Sequence, residues 1–156
     1  MREHSRASVW PRLEFGLSKG HAKDKSINHF VFGLSNSGVG PAIITDAKVM
    51  YDGNPAEDWW DLFRLQGIPD SIETTITNAA FNGKIVKIGE TMEILNLGDN
   101  PELAQAVFER LDKLSIHIYY ESIYGETWFY EIGENDEKTV KIEEFKGLPD
   151  DEQFGG

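Results

Sequence analysis

Apolar and polar residues alternate through most of the chain. Over 8–17, Leu13, Phe15 and Leu17 interleave with Arg12, Glu14 and Gly16, the two-residue period of a half-buried strand. Pro11 has no N–H to donate, which places the start of this segment at a sheet edge. Residues 19–26 are polar, contain Gly20 and read as a loop. Strands are predicted over 27–36, with Phe30, Phe32 and Leu34 on one face, and over 42–51, with Ala47, Val49 and Tyr51 opposed to Asp46 and Lys48. Between them, 36–41 reads Asn-Ser-Gly-Val-Gly-Pro, a dense turn signal. Segments 84–88 and 91–97 are strands split at Gly89. Met92 and Ile94 share a face before the phase slips to Leu95 and Leu97, as a β-bulge would make it do. The clearest strand is 114–121, where Leu114, Ile116, Ile118 and Tyr120 oppose Ser115, His117 and Tyr119. Residues 126–132 return with Trp128, Tyr130 and Ile132 on one face, and 138–145 closes the set.

Two stretches change to a helical period. Asn54-Pro55 and Asn100-Pro101 each offer an N-cap followed by proline at the first helical position. In the first, Trp59, Leu62, Phe63 and Gln66 share a face and Gly67 suits the C-terminal end. In the second, Leu103, Val107 and Leu111 form the stripe. Residues 69–82 mix apolar positions with Thr and Asn and read as weak strand and loop. About eight short strands without regular strand–helix alternation point to an all-β, immunoglobulin-like antiparallel β-sandwich with two short inserted helices. The expected partition is a linker or disordered segment over 1–7, the sandwich over 8–146, and an acidic, frayed tail over 147–156.

Charge and composition remove several function classes. The net charge of −12 repels phosphate backbones and anionic membrane surfaces, so no nucleic-acid partner is expected. With no cysteine in 156 residues, disulfides, thiolate zinc sites and cysteine nucleophiles are excluded. No run approaches the ~18 apolar residues of a membrane helix, so the chain reads as soluble.

Candidate chemistry is sparse. His29 and His117 lie on predicted strands, opposite the apolar faces; on neighbouring strands they would meet as a metal pair, although no His-x-His or His-x₃-His spacing supports one. Glu121 and Glu126 flank the turn at 122–125 and read as ordinary turn acids, with cation binding the lesser reading. No Gly-x-Ser-x-Gly elbow and no phosphate loop is present, so no catalytic residue is assigned, no enzyme is expected and no cofactor is called for. Exposed aromatic rings can stack on sugars or grip a peptide. Trp60, off the Trp59–Phe63 stripe, and Tyr124, in a turn, are the candidate ligand-binding residues. Asn36, Gly38, Gly40 and Pro41 are assigned to a structural turn, the glycines for backbone angles that side chains resist and the proline for fixing the exit into the next strand.

Three segments, in order, carry a resemblance: Ser-Val-Trp-Pro-Arg-Leu-Glu-Phe at 8–15, Leu-Ser-Asn-Ser-Gly-Val-Gly-Pro-Ala at 34–42, and Tyr-Glu-Ser-Ile-Tyr-Gly-Glu-Thr-Trp at 120–128. The chain resembles a family of uncharacterised bacterial membrane-anchored proteins in which membrane helices precede an extracytoplasmic β-sandwich domain. It departs from that pattern in lacking the membrane segment and a cysteine near Tyr119 and Tyr120. The resemblance implies an extracytoplasmic or periplasmic, membrane-associated setting, with the membrane reached only through an upstream anchor absent from this sequence. The expected role is a non-catalytic module that binds a protein partner or envelope component. A carbohydrate or small-ligand binding domain is the alternative, and an unrecognised hydrolase carries the least weight. Exposed strand edges also permit a homodimer.

Overall fold

A computed structural model of the chain describes residues 9–69, 71–72, 77–78, 81–97, 100–133 and 136–155; the expected linker over 1–7 lies outside them. Two antiparallel sheets face each other. The first contains β1 (Leu13–His21), β2 (Ile27–Asn36), β7 (Thr91–Asn96) and β5 (Thr77–Asn78), in the order β1-β2-β7-β5. The second runs β10 (Glu137–Ile142), β9 (Thr127–Ile132), β8 (Leu114–Glu121), β3 (Ala42–Tyr51), β4 (Asn54–Pro55), and β6 (Ile85–Val86) also pairs with β3. The order β1-β2-β7-β5 over β9-β8-β3 reproduces the two sheets of a constant-type immunoglobulin domain. The strands β4 and β6 are added beside β3, and β10 beside β9. Helix α1 (Trp59–Leu65) follows β4, and α2 (Pro101–Phe108) makes the crossover from β7 to β8.

The alternation in the sequence becomes the core. Ile116, Ile118 and Tyr120 of β8 and Trp128, Tyr130 and Ile132 of β9 are buried against Phe30, Phe32 and Leu34 of β2. The phase slip in β7 is a bulge. Phe32 pairs with Leu95 but Gly33 pairs with Glu93, leaving Ile94 unmatched, so Ile94 and Leu95 are both buried.

Two local expectations are corrected along the first half of the chain. β1 begins at Leu13 and extends to His21, because its hairpin with β2 carries polar residues 18–21 into the ladder; the turn between them is closed by Ala22 N–H to Ser26 O at 2.9 Å. Asn54-Pro55 does not start a helix. Asp52 and Gly53 both have positive φ (51° and 82°) and make a two-residue hairpin turn that returns Asn54 and Pro55 onto Tyr51 and Met50. Asp58 is the actual cap of α1, accepting Asp61 N–H at 2.8 Å. At α2 the expected device holds: Asn100 accepts Leu103 N–H at 3.0 Å ahead of Pro101.

Residues 147–155 are not a frayed tail. Gly147 turns with φ +94°, and the chain then straps across the second sheet. Phe154 is 1% exposed, between Trp59 and Phe81. No helix among the described residues is long and apolar enough to cross a membrane.

Candidate functional site

The two sheets part at one edge. Leu13, Phe15 and Leu17 share the inward face of β1, yet Leu13 is buried, Phe15 half-buried and Leu17 38% exposed. The gap that opens is a cleft of about 350 Å³. Phe15, Leu17 and Phe32 line it from the first sheet, and Leu114, Ile116 and Ile132 from the second. Leu111 closes one side, and the exposed Asp136 and Glu137 stand at its mouth.

β1 is an edge strand, so every second N–H points away from β2. Two of these are capped from the opposite sheet: Phe15 N–H donates to Tyr130 Oη at 2.7 Å, and Leu13 N–H donates to Tyr120 Oη at 3.4 Å. Burial raises the pKa of both phenols, with the Glu137 carboxylate adding to the rise at Tyr130, so both keep their protons. The β1–β2 register is regular from Leu13 to Gly20. The same parity therefore turns the N–H groups of Leu17 and Lys19 outward, past the last tyrosine, alongside the cleft.

Among the described residues, the cleft lining contains no serine, threonine, histidine or lysine. Among the described residues no group of three His, Cys, Asp or Glu could hold a metal ion. The arrangement offers an apolar surface with a negative rim, beside outward backbone N–H groups along β1.

The residues singled out in the sequence lie elsewhere. His29 and His117 do not come together. His29 is on the outer face of β2, opposite Phe30, and His117 is on the outer face of β8, in the other sheet. His117 Nε2 lies 3.1 Å from Glu131, with its ring edge-on to Phe129. Burial lowers the imidazole pKa, although Glu131 pulls the other way.

Trp60 is 48% exposed, packs edge-on to Phe63, and borders a hollow of about 140 Å³ with Arg64 and Pro69. Tyr124 is also exposed, in the β8–β9 turn. The two do not form one site. The β8–β9 turn follows Glu121, opposite Ile43 at the start of β3, whereas α1 follows β4, paired to Tyr51 at the end of β3. Nor is Glu126 open to a cation. Its carboxylate accepts Trp10 Nε1 at 2.9 Å and Ser122 Oγ at 3.2 Å, and lies 3.3 Å from Lys141 Nζ. Burial works against its charge, but these hydrogen bonds prevail and hold the carboxyl below its ordinary range.

The 36–41 segment is structural, for a different reason from the one its glycines suggested. Neither Gly38 nor Gly40 has positive φ. A Cβ on Gly38 would lie 2.5 Å from Arg12 N, and one on Gly40 would collide with the Val9 carbonyl. The chain entering β1 crosses directly over this turn, with Val39 N–H donating to Trp10 O at 3.0 Å. Asn36 locks the crossing: its buried amide accepts from Arg12 N–H and Gly38 N–H and donates to Gly40 O and Val86 O, at 2.8–3.2 Å. Pro41 then leads into Ala42 of β3.

Comparison with protein-family models, curated proteins and solved structures finds no match for this chain.

The cleft was missed in the sequence, though one signal existed. Tyr120 and Tyr130 fall on inward faces among isoleucines, and an inward tyrosine needs a polar partner for its hydroxyl. In the fold that partner is a backbone N–H of β1 that makes no ladder bond.

Proposed function

We propose that this domain is a non-catalytic binding module that takes an extended segment of a partner protein along β1. The partner strand hydrogen-bonds to the outward backbone of Leu17 and Lys19, places an apolar side chain in the cleft, and sets a basic residue against Asp136 and Glu137. The observation that carries this reading is the run of outward N–H groups beside an apolar cleft with an acidic mouth. Strand addition draws affinity from the main chain and specificity from pockets for alternate side chains, and the chain's net charge of −12 favours a basic partner. The setting we propose is extracytoplasmic, tethered through membrane helices encoded upstream. Its support is the likeness of the 8–15, 34–42 and 120–128 motifs to the membrane-anchored family.

The test is selection from a displayed library of random peptides, followed by amide NMR of the winners on the labelled protein. Enriched sequences should alternate apolar and basic residues and shift Leu17, Lys19 and Ile132, and Leu17→Asp should abolish binding. Winners that leave β1 unshifted, or that bind Leu17→Asp equally, overturn the reading.

A second reading, carbohydrate binding, is favoured by Trp60 standing exposed beside the hollow that Arg64 shares. Titration with a panel of envelope glycans should then change tryptophan fluorescence in the wild type and not in Trp60→Phe. An unchanged spectrum across the panel rules this reading out.

A further inference from the structure

The strap over residues 148–155 is held as a recognised peptide would be. β3 is bordered by β6 at Ala42 and Ile43 and by β4 at Met50 and Tyr51, which leaves its middle open at the sheet edge. The strap fills that gap. Phe154 N–H donates to Ala47 O at 2.9 Å, and Gly155 N–H donates to Glu57 O at 2.7 Å. The Phe154 ring sits edge-on to Trp59 at 4.8 Å and to Phe81 at 5.6 Å. Asp46, itself buried, accepts Leu148 N–H at 3.0 Å and the Gln153 side-chain amide. Lys48 pairs with Glu152 at 2.9 Å. The body thus presents a cation for Glu152, a carboxylate for Gln153 and an aromatic hole for Phe154, in sequence order.

What joins this segment to the body is slight by comparison. Phe145 stacks on Tyr119 at 4.0 Å. Beyond it Lys146, Gly147, Pro149, Asp150 and Asp151 are exposed, and the bend falls at Gly147, whose positive φ is that of a residue with no Cβ to restrict its rotation. A segment anchored by specific contacts at its far end and tethered by an exposed link can dock on a second molecule with every contact preserved.

We propose that the Asp46–Lys48 groove is a peptide-recognition site for a Glu-Gln-Phe segment, and that a second copy of this chain occupies it by reciprocal exchange of straps. Exchange replaces intramolecular with intermolecular docking, so the dimer grows with concentration.

The full-length variants Lys48→Glu and Glu152→Lys test this. Each alone places like charges at the groove: two carboxylates in the first, two ammonium groups in the second. Reciprocal exchange between the two restores an opposite pair at both grooves, because the strap of each variant carries the charge that the groove of the other attracts. The charges are partly exposed, so both variants stay folded. After incubation, light scattering coupled to size exclusion should show roughly threefold more dimer in the equimolar mixture than in either variant at the same total concentration. Adding Phe154→Ala to both should remove the excess. A mixture no more dimeric than its components at millimolar protein overturns the proposal, and so does an excess that survives Phe154→Ala in a protein whose circular dichroism is native.

Discussion

The hydroxyl of Tyr130, in one sheet, accepts the N–H of Phe15, in the other, at 2.7 Å. This bond marks where the sandwich stops being closed. On one side Leu13 and Tyr120 are sealed in the core; on the other the sheets diverge around Leu17. An edge strand ordinarily leaves its outward donors to water, and here two are satisfied from across the core.

Tyr130→Phe should therefore destabilise the domain by about 0.5–1.5 kcal/mol, the net worth of a hydrogen bond whose donor is part-buried. Tyr120→Phe should cost less, because its bond to Leu13 is long at 3.4 Å. Urea unfolding monitored by tryptophan fluorescence checks both, with the m-value unchanged in each.

Gly40→Ala should cost about 1–3 kcal/mol by overpacking, because the new methyl meets the Val9 carbonyl. Amide NMR should show the displacement concentrated at residues 9–12 and 37–40. Gly16→Ala, whose Cβ would enter open space without positive φ, is the control and should be close to neutral.

His117 makes stability depend on pH. Burial puts its folded pKa below the unfolded value of about 6.5. The unfolded chain then takes up the proton first. The contribution is complete above the unfolded pKa and is lost as pH falls through the folded one. His117→Gln should flatten the stability profile on the acid side of the unfolded histidine pKa of about 6.5, measured by urea unfolding at each pH, and leave the slope in the carboxylate range to Asp24, Asp61 and Glu126, whose pKa values are lowered.

Trp59 and Trp60 are adjacent but opposite in consequence. Trp59 touches Phe32, Phe81 and Phe154 and is fully buried. Trp59→Ala should cost about 3–5 kcal/mol, whereas Trp60→Ala should fall within about 0.5 kcal/mol. Thermal unfolding of the pair checks the contrast, and acrylamide should quench Trp60 alone of the two.

The strands were readable because burial on one face imposes a period of two on each segment, independently of its partner. The bulge at Ile94 was readable on the same grounds, as a break in that period. The start of α1 was not. Asn54-Pro55 and Asn100-Pro101 carry the same local signal, yet Asp52-Gly53 ahead of the first folds it into a hairpin, so the preceding turn overrode the cap. The histidines show the same limit: alternation placed His29 and His117 on outer faces, but which sheet each strand joined depended on pairing.

The sequence by itself determined the fold class, the inward faces and the second helix cap, because these follow from side-chain chemistry within about ten consecutive residues. Tertiary structure alone decided the rest. The need for glycine at 38 and 40 comes from a strand crossing overhead. The cleft comes from the angle between two sheets, and the seat of Phe154 from a gap along β3 that only the assembled sheet possesses. Each depends on the distance between segments remote in the chain, and no local pattern of residues encodes that distance.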